Sequence, residues 1–347
     1  IASTYNHSVV SIENIDTLQD VYNITVDDHH TVGVVLEFDT TNGSCDGIFT
    51  LQCGEQSLWG GELCTLVETF PAKHDSFEDF LETLKIAYLY AKTITLIPTH
   101  RPATNSIMTR NRRIGLSQSG IMRAFAKHGR REILRWCDQG YDFIQALDIQ
   151  YSNWLGIPRS IKTTSIKPSG SVSLVAGEPA GIHYPHSEYY LRRVRVSLHS
   201  SLWKAAKKAG YPVEPAIGQE DTTMIIAFPI KENNFVKGKS DITVWEQVVN
   251  AVVYQRYWAD NQVSITVTFN KDEANDIAPI LSLFEDQLKG ISFLPIEDHG
   301  YVQAPYETIS KEQYEGLIKN IKPIDFNDAS VDDAVAPKYR DSDSCEL

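Results

Sequence analysis

Two of the five cysteines, Cys53 and Cys64, share the stretch "LQCGEQSLWGGELC", which runs from Leu51 to Cys64. Glu55 follows the first of them by two residues. A cysteine can pack, bind metal, attack as a thiolate, or carry redox and radical chemistry. Packing accounts for Cys45 and Cys137. It suits Cys53 badly, because Gly54 and the Gly60-Gly61 pair make the segment loop-like and a carboxylate is poor core material. No CxxC pair has the spacing of a zinc site, so no metal site is expected. A thiolate nucleophile wants a nearby base, usually histidine, and the stretch holds none. Thiol, carboxylate and second thiol suit a different scheme. One thiol exchanges a hydrogen atom, the carboxylate moves a proton, and the other thiol supplies reducing equivalents.

Other residues invite a chemical reading. "KPSGS" (Lys167 to Ser171) is a turn sequence. Successive backbone N–H groups beside the hydroxyls of Ser169 and Ser171, with Gly170 between them, could also cradle a phosphate. Between Arg110 and Arg135 there are eight Lys or Arg against the single acid Glu132. A solvated helix face explains this run; a wall facing a phosphorylated substrate is the sharper reading. Cys345 sits in the acidic end "DSDSCEL".

Composition sets bounds. The chain has 347 residues and a net charge of −13, which argues against a general nucleic-acid partner. Irregularly spaced cysteines in so long a chain do not make a secreted disulfide framework. No apolar run reaches membrane-spanning length and no signal peptide is evident, so no membrane partner is expected and the location read is cytoplasmic. The chain begins with Ile1 and reads as a fragment.

Certain elements must position these groups. Residues 1–52 read as short strands, with "TTNGSCDG" as a turn cluster. Ser76 and Asp79 have capping-box spacing ahead of Phe77, Phe80, Leu81, Leu84 and Tyr88, which recur at helical period. Further helices are expected over 119–137 and 140–150, and over "VWEQVVNAVVYQRYWA". One more is expected from Lys271 to Leu288. "TTSIKPSGSVSLVAG" reads as strand, tight turn, strand. "TTMIIAFPI", "NQVSITVTF" and "ISFLP" read as strands, and the residues after Ile324 as a mobile acidic tail. Strands alternating with helices predict an α/β fold, barrel or sheet.

"CGEQSLWGGELCTLVETFP" resembles the active-site loop of ribonucleotide reductases, where an Asn-Pro precedes the cysteine. "NRRIGLSQSGI", "TTSIKPSGSVSLVAGEPAGIHYP", "YYLRRVRV", "NQVSITVTF", "ISFLP" and "QAPYE" resemble further landmarks of the monomeric, adenosylcobalamin-dependent (class II) members, in family order. The resemblance implies the C-terminal half of a ten-stranded α/β barrel with the catalytic loop as a central finger. It implies adenosylcobalamin as cofactor and a ribonucleotide, taken as the triphosphate, as substrate. Cys53 would be the thiyl-radical cysteine and Glu55 the general base for the 3′-hydroxyl. Cys64 would be one of two reducing thiols, with its partner in the N-terminal half of the protein. Ser169, Gly170 and Ser171 would bind substrate phosphate. Cys345 would be one of a mobile tail pair that takes electrons from a thioredoxin-type reductant.

The family's Asn-Pro is Leu51-Gln52 here. Residues 1–52 instead resemble the C-terminal end of an intein, a small all-β remnant. "DVYNITVDDHHTVGVV" resembles its histidine-bearing strand block, best matched by His30, and "GIFTLQ" before Cys53 resembles a splice junction. Gln52 has the side-chain amide needed to cyclise, and Cys53 can accept the acyl chain. The implied organisation is intein segment over 1–52, half-barrel over 53–324, and redox tail over 325–347. Three other readings are a reductase subunit served by a separate metal-bearing radical subunit, a non-radical thiol–disulfide oxidoreductase, and a β module fused to an unrelated α/β domain. The Tyr189-Tyr190 pair bears on the first, with aromatic packing as its plain explanation.

Overall fold

The computed structural model describes residues 36–38, 45–47, 55–233, 235–296 and 303–326. His30, Gln52, Cys53, Cys345 and the acidic tail after Phe326 lie outside the described residues. In chain order the elements begin with β1 (Leu36–Phe38) and β2 (Cys45–Gly47), an antiparallel pair. Then come β3 (Leu66–Thr69), α1 (Phe77–Ile94), α2 (Pro102–Asn111), β4 (Gly115–Gln118), α3 (Ile121–His128), α4 (Arg130–Leu155) and α5 (Val172–Ala176). β5 (Tyr189–Ser197), α6 (Leu202–Lys208), β6 (Val213–Pro215) and β7 (Thr223–Lys231) follow. The rest are α7 (Val244–Tyr257), β8 (Thr266–Phe269), α8 (Ile277–Phe284), β9 (Ser292–Pro295), β10 (Tyr306–Thr308) and α9 (Lys311–Ile318). No helix among the described residues is long and apolar enough to cross a membrane.

The described residues form two compact units. One runs to His183 and resumes over Thr243–Ile296; the other takes Tyr184–Ile242 and residues 303–326. The first is built on parallel backbone. β3 pairs in parallel with β4. A parallel bridge joins Leu116 of β4 to Thr164, and another joins Ile166 to Val263, just ahead of β8. β8 in turn pairs in parallel with β9. Five segments thus run side by side in chain order with helices in the crossovers, an α/β arrangement. We call this array the wall. Trp258, buried at the end of α7, donates its indole N–H to the carbonyls of Leu116 and Ser165, both at 3.1 Å, and so ties neighbouring segments together.

The α1 cap forms as its spacing predicts: the Ser76 hydroxyl accepts from the Asp79 N–H at 3.2 Å. Fully buried Lys92 on α1 meets buried Asp148 on α4 at 2.6 Å. The Tyr88 hydroxyl donates to the same carboxylate at 2.8 Å. The second unit is an antiparallel sheet in the order β10-β5-β7-β6. In it Tyr190 is buried and donates to Glu232 at 2.8 Å, a packed aromatic with a satisfied hydroxyl.

Four expectations need correction. "TTSIKPSGSVSLVAG" is not a hairpin, because the residues after Ser171 turn into α5, closed by Gly177 at φ 69°. The helix expected from Lys271 to Leu288 is a 3-10 stretch, Lys271–Asp276, followed by α8; Pro279 lacks the N–H that a helix running through Asn275 would need. "TTNGSCDG" contains strand β2. The basic run is no uniform solvated face, because Arg112 and Arg113 are buried. Arg112, at the left-handed end of α2, donates to the Thr95 carbonyl.

Candidate functional site

The wall has two rims. Cys64, Arg113, Lys162, Asn261 and Lys289 each stand just before one of its five segments. Ser119 and the Lys167–Ser171 turn stand just after β4 and the Thr164–Ile166 segment. The loop from Glu55 to Cys64 is attached to this wall. The Glu55 carbonyl accepts from the Ser165 hydroxyl at 2.8 Å and from the Gln262 N–H at 3.2 Å.

Glu55 itself is buried, and burial holds its carboxyl above the usual value; its own backbone hydrogen bond and the Lys167 charge pull it partly back. A carboxylate raised in this way is matched to general-base work nearer neutral pH. Cys64 is exposed as a residue, yet its thiol is pushed up to about 11. Desolvation is the main cause, the charges of Glu55 and Glu62 add to it, and Arg113 opposes them. The sulfur therefore stays a thiol at neutral pH, the form that can give a hydrogen atom. Glu55 and Cys64 are brought together; Cys53 lies outside the described residues. Cys137 is a packed thiol, fully buried and donating to Gln118 Oε1 at 3.8 Å.

At the other rim, Ser169 is buried in the left-handed region at φ 56°. Its hydroxyl accepts from the Ser173 N–H at 3.2 Å, while the Ser173 hydroxyl donates back to the Ser169 carbonyl. The Ser169 side chain is thus engaged in shaping the turn. Ser171 is exposed and Gly170 half-buried, so the open part of the turn is theirs. Lys167 is committed elsewhere: its ammonium pairs with Glu68 at 3.2 Å and its N–H donates to the Ser117 hydroxyl at 2.9 Å. The Ser119 hydroxyl donates to the same Glu68 and accepts from the Gly181 N–H at 2.9 Å.

Sequence reasoning missed one group. The Glu62 carboxylate is fully buried and accepts from the Trp59 N–H (2.9 Å), Asn111 Nδ2 (3.0 Å) and Arg113 Nε (3.1 Å). Its signal was present in the cluster Arg112-Arg113, read only as part of a charged face, and in a lone acid beside Gly60-Gly61. Among the described residues no three His, Cys, Asp or Glu gather as a metal-binding cluster.

No family profile matches the chain. It is 52% identical over 272 residues to an adenosylcobalamin-dependent ribonucleoside-triphosphate reductase of Euglena gracilis, covering 78% of this chain and 37% of that one. It is 47% identical over 301 residues to a probable enzyme of the same name from Dictyostelium discoideum, covering 85% and 40%. In structure it resembles a B12-dependent (class II) ribonucleotide reductase with a TM-score of 0.71 at 32% identity, over 78% of this chain and 42% of that one. The chain spans about two fifths of the relatives it matches.

Proposed function

We infer that this chain, a homologue of part of the adenosylcobalamin-dependent ribonucleoside-triphosphate reductases, supplies the radical loop and one half of the barrel of such an enzyme. Its five parallel segments are half of a ten-stranded barrel, with residues 53–324 as the reductase portion and the N-terminal half of the same protein as partner. The substrate is a ribonucleoside triphosphate and the product its 2′-deoxy form.

The observation that carries the reading is a buried, raised Glu55 beside a Cys64 held as a thiol, on a loop bonded to the wall. Adenosylcobalamin, when bound, supplies a cobalt–carbon bond that breaks to give an organic radical. The residues in hand suit such a cofactor, since a protonated thiol can give a hydrogen atom and a buried carboxyl can carry a proton without an exposed charge. Cys53, as a thiyl, removes the ribose 3′-hydrogen and later returns it. Glu55 takes the 3′-hydroxyl proton, and the 2′-hydroxyl leaves as water with a proton from one of the two reducing thiols. Cys64 and a partner thiol in the N-terminal half deliver two electrons and end as a disulfide. Cys345 on the tail attacks that disulfide, freeing one of its thiols and forming a mixed disulfide, which a thioredoxin-type dithiol resolves by taking the disulfide onto itself. The phosphates rest on the turn of Ser169, Gly170 and Ser171. Residues 1–52 act earlier, as the end of an intein in which His30 assists, Gln52 cyclises and Cys53 takes the acyl chain.

The test uses the enzyme completed with its N-terminal half. Cys53→Ser should abolish both deoxynucleotide synthesis and tritium exchange between cofactor and solvent, because an O–H bond is much stronger than an S–H bond. Cys64→Ser should retain exchange while substrate decomposes without clean reduction. Deoxynucleotide synthesis by Cys53→Ser would refute the reading.

A further inference from the structure

We propose that Glu62 and Arg113 are positioning residues for Cys64: a buried ion pair that fixes the loop bearing the thiol and sets the charge around it. The geometry reaches across the rim of the wall. Glu62 stands two residues before Cys64 and holds Arg113 Nε at 3.1 Å and Asn111 Nδ2 at 3.0 Å, both at the entry to β4. Arg113 Nη1 continues to Asn261 Oδ1 at 3.2 Å. Asn261 Nδ2 donates to the Ile114 carbonyl at 2.8 Å and to the Thr164 carbonyl at 2.7 Å. One chain of hydrogen bonds thus links the starts of four parallel segments, those entered at Cys64, Arg113, Thr164 and Asn261.

The loop is held at two further points. The Leu63 N–H contacts the Met108 sulfur at 3.3 Å, and Gly61 turns the chain at φ 82°, a conformation a side chain resists. Charge is delivered with the same parts. Glu62 raises the proton affinity of Cys64 and Arg113 lowers it, so the pair partly cancels at the sulfur while remaining rigid. Glu55 is the other charged group acting on the thiol. A buried pair of this kind is weak evidence of net stability, because desolvation offsets much of the attraction. Fixing a thiol against a base within a fraction of an ångström is a use that does not need net stability.

The test reads charge separately from packing. Cys64 of the full chain is alkylated with iodoacetamide across pH and its peptide followed by mass spectrometry. At pH 8 the thiol should react about 100-fold more slowly than an ordinary one, since about 11 rather than 9.0 governs its thiolate fraction. Glu62→Gln should speed alkylation by about three- to tenfold and Arg113→Met should slow it by a similar factor. Arg113→Lys keeps the charge and should stay within about twofold of the parent. General loosening would speed all three. Acceleration by Arg113→Met, or an Arg113→Lys effect as large as that of Glu62→Gln, would overturn the proposal. The catalytic consequence rests on the radical reading: in the completed enzyme Glu62→Gln should lower kcat with little change in KM. Opposed alkylation shifts in an enzyme whose Cys53→Ser variant still works would leave the clamp intact and remove the reductase mechanism.

Discussion

Gly115 opens β4 between two parallel neighbours, and replacing it with alanine tests whether the wall is packed as described. An added Cβ would lie 2.6 Å from Gln56 Nε2, 2.6 Å from Leu66 Cδ2 and 3.1 Å from Ser165 Cβ. Leu66 belongs to the segment on one side and Ser165 to the segment on the other, so β4 cannot relieve one contact without tightening the other. The Gln56 amide can swing away cheaply, because both its polar atoms are buried without a hydrogen-bond partner. Leu66 has to change rotamer and Ser165 has to give by a few tenths of an ångström. Overpacking of this kind costs about 1–3 kcal/mol. Removing a glycine from the unfolded chain returns about 0.4–1 kcal/mol. Taking mid-values, the net loss is about 1.3 kcal/mol, or roughly tenfold in the folded-to-unfolded ratio. Urea unfolding of the chain followed by tryptophan fluorescence measures it. Gly316→Ala in α9 is the matched control, since nothing lies within 4 Å of its Cβ position, and it should stabilise by about 0.5–1 kcal/mol. A Gly115→Ala chain as stable as the parent would show that the close approach of β3, β4 and the Thr164–Ile166 segment is wrong.

Other outcomes follow from single groups. Lys92→Met leaves the Asp148 carboxylate buried with only the Tyr88 hydroxyl and the Ser160 N–H, and should cost about 3–5 kcal/mol in the same urea assay. The base role proposed for Glu55 requires it to be ionised and burial raises its carboxyl, so on that role turnover of the completed enzyme should fall with decreasing pH sooner than an exposed glutamate would allow. Glu55→Gln should remove that acid limb and lower kcat by about 10²–10⁴-fold. Because the folded carboxyl binds its proton more tightly than the unfolded one, it costs stability as pH rises through its raised value, and the Gln variant should be free of that loss. Gly170→Val should weaken ribonucleoside triphosphate binding, read by equilibrium dialysis, by blocking approach to the turn's N–H groups.

Much of the first unit was legible because its signals are local. The hydroxyl at Ser76, the apolar period through Phe80, Leu84 and Tyr88, and the β-branched run of β8 each act within a few residues. The "KPSGSVSLVAG" segment misled because its β-branched residues suggest strand, whereas the Ser169–Ser173 hydroxyl exchange and Gly177 close a helical turn. Arg113 was illegible for the opposite reason: its partners Glu62 and Asn261 are far away in sequence, and nothing local separates a buried arginine from its solvated neighbours. Glu55 and Cys64 were singled out from residue type and spacing. That their proton affinities rise depends on burial, which spacing does not contain.

Among the described residues the wall ends, on either side, in a strand paired on one flank only. Among the described residues β3 pairs only with β4, and β9 only with β8. Each outer strand offers a row of N–H and C=O groups with the polarity and twist already set for one more parallel neighbour. Such a surface selects by backbone direction and by the register of side chains beneath it, so a correct set of strands can add without any change in the wall. A second copy can meet the same flank, and would do so with no means of closing the array. On the half-barrel reading proposed above, concentration and the order in which complementary strands arrive would decide between a closed assembly and an open-ended one.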